Sequence, residues 1–403
     1  MYTHILAALD GSRCSNYALL STALLADNLP VVHLVGCHVY ASKMHRQRFE
    51  EMEPGLPGKY QAEEKLDYLR GTHDKIINEG MQLISDAYIS PLVEIINNKE
   101  IKVTALTPEG KNYVEFNKAL ENLEPQLILM GAHGQGELSD DDLGGFAERI
   151  LINLKNHDLL LIREMLNFKN HPIVVGVDGS DESYSAFMVA AELARIFKTQ
   201  IKTVAVYDPF FHTKVFQNIA AILPEASASK FDFTAQEQLH DEIIDEGLEQ
   251  LYAEGLRKCR LIAEKDQLDF TCEVIKGKVY SGLKHYAALH QAGLIIIGFN
   301  GLHKNNDDIG SNTLKLARKS KNNILIVHQE KQLDLPELEE VQIKNQLEWT
   351  PDALTLMEKV PVFAQKMAKK YIEKKAMENN ILVITKDFIV QQTEKMPFMK
   401  KAD

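Results

Sequence analysis

The chain has 403 residues, a length that suits two or three domains better than one ordinary core. Its composition is that of a soluble globular protein, with 45% hydrophobic residues, 25% charged residues and no biased tract. The formal net charge of -12 argues against binding to nucleic acid and to anionic membrane surfaces, because both would repel an acidic protein.

Several absences in the sequence point to a cytoplasmic protein. The four cysteines (Cys14, Cys37, Cys259 and Cys272) have neither CxxC pairing nor metal-ligand spacing, so we expect reduced, partly buried thiols. The first residues run directly into a strand pattern, without the basic and apolar regions of a secretory leader. No apolar run approaches the ~18 residues that would span a bilayer.

The chain repeats itself at a nearly constant offset, which indicates a tandem duplication. The segment from Ile5 to Ser12 returns as Ile173 to Ser180, and the segment from Leu127 to Gly134 returns as Leu294 to Gly301. Between these segments, residues of the first half return 167 positions later: His45, Phe49, Leu56, Pro57 and His73 as His212, Phe216, Leu223, Pro224 and His240.

Each half alternates strands with helices. In the second half, the apolar run Ile173–Val177 suits a strand buried on both faces, and Ser180 is the expected N-cap of the following helix. The later pattern predicts strands at Ile201–Tyr207, Thr271–Ile275, Leu294–Gly298 and Ile324–Val327, and a helix over Ser281–His290. The matching strands of the first half include Val32–Tyr40 and Leu159–Ile162. Strands separated by helices imply a parallel, doubly wound sheet.

The predicted fold is α/β, with two tandem doubly wound parallel-sheet domains and a small C-terminal all-α module. The domains cover residues 1–165 and 170–330, followed by an acidic linker over 331–346 and the helical module over 347–397. We expect the two domains to pack as an intramolecular pseudo-dimer through their closing strands, Leu159–Ile162 and Ile324–Val327, which should lie at sheet edges. A higher oligomer is compatible with this arrangement.

The strand-Asp-Gly-Ser start and the strand-Gly-x-x-Gly end of each half resemble the universal stress protein family. In that family, ATP-binding members carry Gly-x2-Gly-x9-Gly-Ser/Thr after the fourth strand and an Asp after the first strand, near the adenine. The resemblance implies an ATP or related adenine nucleotide site, with Mg²⁺ only as the nucleotide's companion, in the second half: Asp178, Gly298, Gly301, Gly310 and Ser311. The loop before Gly310 has eight residues instead of nine.

The first half offers a weaker site with Asp10, Gly131, Gly134 and Gly144. Here Gly145 replaces the Ser/Thr whose hydroxyl would donate to phosphate. The loop is also acidic, and each carboxylate ~5 Å from a phosphate repels it by roughly 0.8 kcal/mol in bulk water. The acidic residues are Glu137, Asp140, Asp141 and Asp142, whereas the second loop balances His303 and Lys304 against Asp307 and Asp308. An alternative stays open in both halves: the glycines only form a strand-to-helix turn.

The repeated histidines also allow two interpretations. His45, His73, His212 and His240 could line a metal or ligand site between the halves, or they could be inherited packing residues. Because they lack i,i+4 spacing and no cysteine recurs with them, we expect no metal site. His133 is expected to be structural.

No nucleophile–base spacing, HExxH, Walker lysine loop or GxGxxG is present, so we expect no catalytic residues and no enzyme, weak ATP hydrolysis aside. The C-terminal order Trp-x-Pro-x-Ala (from Trp349), Val-Pro-x-Phe (from Val360) and Ile384-Thr385 resembles the small C-terminal domain of the light-independent protochlorophyllide reductase B subunit. Gln365 stands where that family often has Arg.

Two functions therefore remain open. One is a non-catalytic stress-response or regulatory protein with a nucleotide site. The other is an accessory or scaffold subunit that docks a protein partner, a redox enzyme complex, through its C-terminal module.

Overall fold

A computed structural model describes residues 1–60, 62–96, 100–136, 142–208, 245–302 and 308–328, then 348–358, 360, 365, 368–369, 371–373, 375–376 and 383–393. The chain divides into two compact units, Met1–Asp334 and Leu335–Asp403. The expected linker over 331–346 lies outside the described residues. Within the described part, no helix is both long and apolar enough to cross a membrane.

The first half alternates strands and helices as predicted. Its elements are β1 (His4–Ala8), α1 (Arg13–Asn28), β2 (His33–Cys37), α2 (Ser42–Met52), α3 (Glu63–Ile95), β3 (Lys102–Leu106), α4 (Asn112–Leu123), β4 (Leu127–Gly131), α5 (Gly145–Ile152) and β5 (Asp158–Ile162). The strand expected over Val32–Tyr40 is shorter and covers His33–Cys37. Beyond it, an isolated bridge between Tyr40 and Glu109 continues the pairing.

The second half follows the same order over its described residues. Its elements are β6 (Ile173–Gly176), α6 (Asp181–Phe197), β7 (Ile201–Tyr207), α7 (Asp245–Lys265), β8 (Phe270–Lys276), α8 (Val279–Leu289), β9 (Leu294–Gly298), α9 (Ser311–Lys319) and β10 (Ile324–Val327). Ser180 caps α6 as predicted, since its side chain accepts the N–H of Ser183, and Ser12 caps α1 in the same way through Ser15.

The strands form one ten-stranded sheet in the order β3-β2-β1-β4-β5-β10-β9-β6-β7-β8. Every pairing within a half is parallel, and the single antiparallel pairing joins β5 to β10. The closing strands are therefore the edges of their own halves, as expected, but they cover each other and end up in the middle of the sheet. Their pairing makes the two domains one continuous unit.

The core lies on both faces of this sheet. All five residues of β5 and all five of β9 are buried, because helices cover the sheet on both sides. Among these helices, α1 packs on β4, α6 on β9, and α7 on β7 and β8. The continuous apolar runs that predicted these strands are a direct consequence of this two-sided burial.

The C-terminal unit has its own core of seven buried residues: Ala353, Met357, Ile372, Ala376, Ile384, Phe388 and Ile389. Its helices include α10 (Pro351–Glu358) and α11 (Lys386–Thr393). Thr385 caps α11, because its Oγ1 accepts the N–H of Phe388 at 3.3 Å. The unit also contains a two-stranded parallel sheet, β11 (Glu348–Trp349) with β12 (Val383–Ile384), which the helical pattern did not predict. Strands of two residues are too short to show a period.

Candidate functional site

Each half has a cavity at the carboxyl ends of its parallel strands. In both halves the first strand, β1 or β6, lies between the second strand and the fourth. The strand order reverses beside this central strand, and ligands of doubly wound folds bind in the crevice at such a point.

The cavity of the first half measures about 440 Å³. The four residues assigned to the weaker site, Asp10, Gly131, Gly134 and Gly144, all line it. Its other walls are largely apolar and come from five elements or the loops after them: Leu9, Cys37, Val39, Phe116, Met130 and Phe146.

The cavity of the second half measures about 350 Å³. It is lined by all five residues assigned to the nucleotide site: Asp178, Gly298, Gly301, Gly310 and Ser311. The fold thus brings together, in each half, residues that lie more than a hundred positions apart in the sequence.

The glycines of these loops are required by close approach rather than by unusual backbone angles. A Cβ on Gly131 would lie 2.9 Å from the backbone nitrogen of Ser15, and a Cβ on Gly298 would lie 2.9 Å from the Cβ of Glu182. The second glycine of each loop meets an aspartate, since a Cβ on Gly301 would lie 2.8 Å from Oδ2 of Asp178. A side chain at these positions would push the loop away from the helix start or from the aspartate.

The shorter loop of the second half keeps the same helix start as the first. The N–H of Gly144 donates to the carbonyl of Ala132 at 2.8 Å, and the N–H of Gly310 donates to the carbonyl of Phe299 at 2.9 Å. These hydrogen bonds are equivalent, so the missing residue does not displace α9. The loop with eight residues therefore reaches the same helix start as the loop with nine.

Both helices that begin at the cavities lack a side-chain cap. The cap positions, Gly144 and Gly310, are glycines and have no side chain that could accept a hydrogen bond from the helix. The first three N–H groups of α9 therefore have no intrahelical acceptor, and the positive end of the helix dipole lies at the cavity. Ser311 is exposed at the first position of α9, whereas the first position of α5 is Gly145.

The two aspartates hold the loops around the cavities. Asp178 accepts the N–H of Ser180 at 3.0 Å through Oδ1 and the N–H of Leu302 at 3.0 Å through Oδ2. Asp10 accepts the N–H of Ser12 at 2.9 Å. Each aspartate therefore has a structural role in addition to any contact with a ligand.

Two acidic residues at the start of α5 and in the loop before it are paired with cations. Asp142 forms an ion pair with Lys319, and Glu148 in the first turn of α5 forms one with Arg318. Both cations come from the last turn of α9 in the second half. Asp308 of the second loop is described, and six other loop residues named above lie outside the described part: Glu137, Asp140, Asp141, His303, Lys304 and Asp307.

The repeated histidines lie away from the cavities where they are described. The rings of His45 and His73 are 5.7 Å apart, and Phe49 stacks on His73 at 4.4 Å. His212 and His240 lie outside the described residues. Among the residues that are described, no group of three or more His, Cys, Asp or Glu side chains could hold a metal ion. His133 is buried, and its carbonyl accepts the hydroxyl of Ser12.

The sequence analysis missed several residues that line the cavities. They are His38 and Asn112 in the first half and Tyr252, Tyr280 and Thr313 in the second. The Thr313 hydroxyl donates to the carbonyl of Gly298 at 2.9 Å and so ties α9 to β9. None of these residues belongs to a motif, although a comparison of the two halves would have shown that His38 has no histidine counterpart.

A family model matches both halves of the chain. The model of the "Universal stress protein family" covers residues 1–162 and 169–328, most of the sequence. This chain belongs to the universal stress protein family. No curated protein sequence matches it at a significant level.

Solved structures with a similar fold include other universal stress proteins. One from Archaeoglobus fulgidus DSM 4304 is 15% identical, covers 82% of this chain and 99% of its own, and has a TM-score of 0.48. The functionally unknown protein PA1789 from Pseudomonas aeruginosa PAO1 is 11% identical, covers 81% and 92%, and scores 0.49. A universal stress protein in complex with cAMP is 21% identical, covers 40% and 98%, and scores 0.24. The family assignment rests on the sequence match alone.

A second family model matches the C-terminal unit of this universal stress protein. Residues 349–392 match the "Proto-chlorophyllide reductase 57 kD subunit" model. The likeness predicted from Trp349, Pro351 and Ile384 is thereby confirmed as a sequence similarity. It covers a small part of the chain.

Proposed function

We propose that this chain is a non-catalytic regulatory protein that binds ATP or a related adenine nucleotide in the cavity of its second half. The observation that carries the proposal is the start of α9, where the exposed Ser311 and three N–H groups without intrahelical acceptors meet a glycine-lined cavity. A helix N-terminus of this kind binds phosphate through its N–H groups and its dipole.

The rest of the cavity supports the same orientation. Gly298 and Gly301 leave room for phosphate beside the backbone, and Thr313 fixes the helix start. The lining also carries Tyr252 and Tyr280, whose rings can contact a base or ribose. Mg²⁺ would accompany the phosphates, as it does in solution.

The absence of catalysis is part of the proposal. Asp178 is the only carboxylate in the described lining of this cavity, and both of its oxygens accept hydrogen bonds from the backbone. Each oxygen keeps a second lone pair, but these two bonds hold the carboxylate against the loop backbone, and a general base must lie within hydrogen-bond reach of the attacking water. Asp178 is therefore better suited to holding the loop than to activating water.

A matched pair of variants tests the assignment. Ser311→Asp and Gly145→Asp each place a carboxylate at the first position of a cavity helix. A carboxylate there favours the helix itself by about 0.3–1 kcal/mol, so neither variant should unfold. A Cβ on Gly145 would meet no atom within 4 Å. The same carboxylate repels a phosphate ~5 Å away by about 3 kcal/mol at an effective dielectric constant of ~20.

We expect calorimetric titration with Mg-ATP to show at least tenfold weaker binding to Ser311→Asp, with weak binding remaining in the first half. Gly145→Asp should bind as the unmodified protein does. If Gly145→Asp weakens binding and Ser311→Asp does not, the nucleotide site lies in the first half instead. If the unmodified protein binds no nucleotide, the proposed function is wrong.

The C-terminal match favours a second candidate function, an accessory subunit that docks on a redox enzyme complex. Besides its own core, this unit exposes Leu354, Val383 and Val390. Exposed apolar side chains of this kind can form a protein interface. The test is co-elution with an oxidoreductase in gel filtration, which should be lost when residues 347–403 are deleted. Co-elution that survives the deletion would exclude this unit as the docking site.

A further inference from the structure

Two of the four cysteines belong to one contact between α7 and the sheet of the second half. Cys272 lies on β8, the last strand in the sheet order, and is half-buried. Cys259 lies on α7, which packs against β7 and β8, and is fully buried. Arg260, the next residue of α7, donates from Nη2 to the sulfur of Cys272 at 3.1 Å. The side chain of Cys272 therefore points to the face of the sheet that α7 covers.

Thr203 of β7 adds a polar group to this contact. It is paired in register with Cys272, so the two side chains point to the same face of the sheet. Thr203 is fully buried, and its hydroxyl has no hydrogen-bond partner among the described residues. A neutral thiol is only a weak acceptor, whereas a charged sulfur accepts a hydrogen bond strongly. The buried hydroxyl is thus a donor that a thiolate at this place would satisfy.

The corresponding positions of the first half carry none of these groups. At the offset of 167 residues, the counterparts are Gly36 for Thr203, Leu92 for Cys259, Val93 for Arg260 and Ala105 for Cys272. The register supports this equivalence, because Gly36 pairs with Ala105 as their counterparts pair with each other. A Cβ on Gly36 would lie 3.3 Å from Cδ2 of Leu92, so helix and strand are within side-chain contact at this point. The thiol cluster is particular to the second half.

The two thiols have different surroundings. Burial raises the pKa of the Cys259 thiol, and the charge of Cys272 raises it further, so the two sulfurs lie within electrostatic reach of each other. Cys259 is therefore protonated near neutral pH. The hydrogen bond to Cys272 raises the pKa of the Arg260 guanidinium. A guanidinium donor beside an accessible sulfur stabilises the thiolate, which is the nucleophilic form of cysteine. Cys272 is thus suited to attack an electrophile, and Cys259 to react in a second step.

We propose that Cys272 and Cys259 form a peroxide-responsive dithiol that is oxidised to a disulfide. The Cys272 thiolate attacks one oxygen of hydrogen peroxide, so that an S–O bond forms, the O–O bond breaks, and hydroxide leaves and takes up a proton to become water. The Cys259 thiol then attacks the sulfenic acid on Cys272. The S–S bond forms, the S–O bond breaks, and a second water leaves with the thiol proton.

In total, two electrons pass from the two sulfurs to the peroxide. A small external thiol returns the pair to the reduced form by thiol–disulfide exchange. None of the four residues of the cluster is among those that line the second cavity. The inference therefore goes beyond the proposed nucleotide binding and does not depend on it.

The test follows the four cysteines of the full chain during reaction with hydrogen peroxide. After the remaining thiols are blocked and the protein is digested, mass spectrometry should find one disulfide, between Cys259 and Cys272. Titration of thiols in the denatured protein should fall from four per chain by two. Cys14 and Cys37 are internal controls, because both are buried, and they should stay reduced.

Variants that copy the first half separate the roles of the residues. Cys272→Ala, which copies Ala105, should abolish the reaction, and Cys259→Ser should leave a sulfenic acid on Cys272 that dimedone traps. Arg260→Val, which copies Val93, should slow the oxidation by roughly three- to tenfold at neutral pH, the effect of one hydrogen bond to a charged group. Arg260→Lys keeps the positive charge and should slow it less.

Thermal melting of each variant checks that it is folded. Oxidation of Cys14 or Cys37 as fast as that of Cys272 would overturn the inference, as would an unchanged rate in folded Arg260→Val. So would a sulfenic acid on Cys272 of the unmodified protein that is not followed by the disulfide, because Cys259 would then not be its partner. Titration of the reduced protein with Mg-ATP is a separate measurement, so the two proposals can fail independently.

Discussion

Leu160 and Leu325 lie directly opposite each other where the two halves of the sheet meet. They are equivalent residues of β5 and β10, so their pairing marks a pseudo-twofold axis. The contacts on either side obey the same symmetry. Asp158 accepts the N–H of His328 at 2.8 Å, and Asn323, the counterpart of Asp158, accepts the N–H of Arg163 at 2.8 Å.

This symmetric contact predicts a measurable loss of stability. Asp158 is fully buried and also accepts the hydroxyl of Tyr2 at 2.6 Å. Asp158→Ala would deprive the N–H of His328 and the hydroxyl of Tyr2 of this buried acceptor. We expect the change to lower the free energy of unfolding by about 2–4 kcal/mol. Asp158→Asn should cost clearly less, because Asn323 already performs the equivalent role. Urea denaturation measures both, and equal losses would contradict this view of the contact.

A second prediction compares two equivalent glycines. Gly11 and Gly179 both have positive φ angles, 73° and 91°. A Cβ on Gly11 would collide with the ring of Tyr88 on α3, whereas a Cβ on Gly179 would meet no atom within 4 Å. We expect Gly179→Ala to cost about 1 kcal/mol of backbone strain and Gly11→Ala about 2–4 kcal/mol. In a Tyr88→Ala background, the cost of Gly11→Ala should fall to that of Gly179→Ala. An unchanged cost in this double-mutant cycle would show that Tyr88 is not the obstacle.

The sequence predicted the sheet well because its strands are buried on both faces. Runs such as Leu294–Gly298 leave little choice of element, and the repeat fixed the order of the elements in both halves. The pairing of β5 with β10 could be anticipated only as a contact between edges. Its direction and register depend on Asp158 and Asn323, which carry no local signal of their partners.

The candidate sites were predicted less completely. The glycines and aspartates stand in a recognisable spacing, and the structure places them around the cavities. His38 follows β2, whereas Ser85 and Tyr88, which contact it, lie on α3, so no spacing connects the histidine to them before the chain folds. The ion pair of Lys319 with Asp142 likewise joins residues of different halves. Net charge counted along a loop does not include such a cation from the other half.

A third prediction concerns the C-terminal unit. Because its buried residues form a core of their own, deleting residues 347–403 should change the melting midpoint of the tandem domains by less than about 2 °C. Ile384→Ala, which removes a fully buried side chain of that core, should affect only the unfolding of the C-terminal unit. Differential scanning calorimetry would distinguish these outcomes. A large drop after the deletion would instead make this unit part of the stability of the tandem domains.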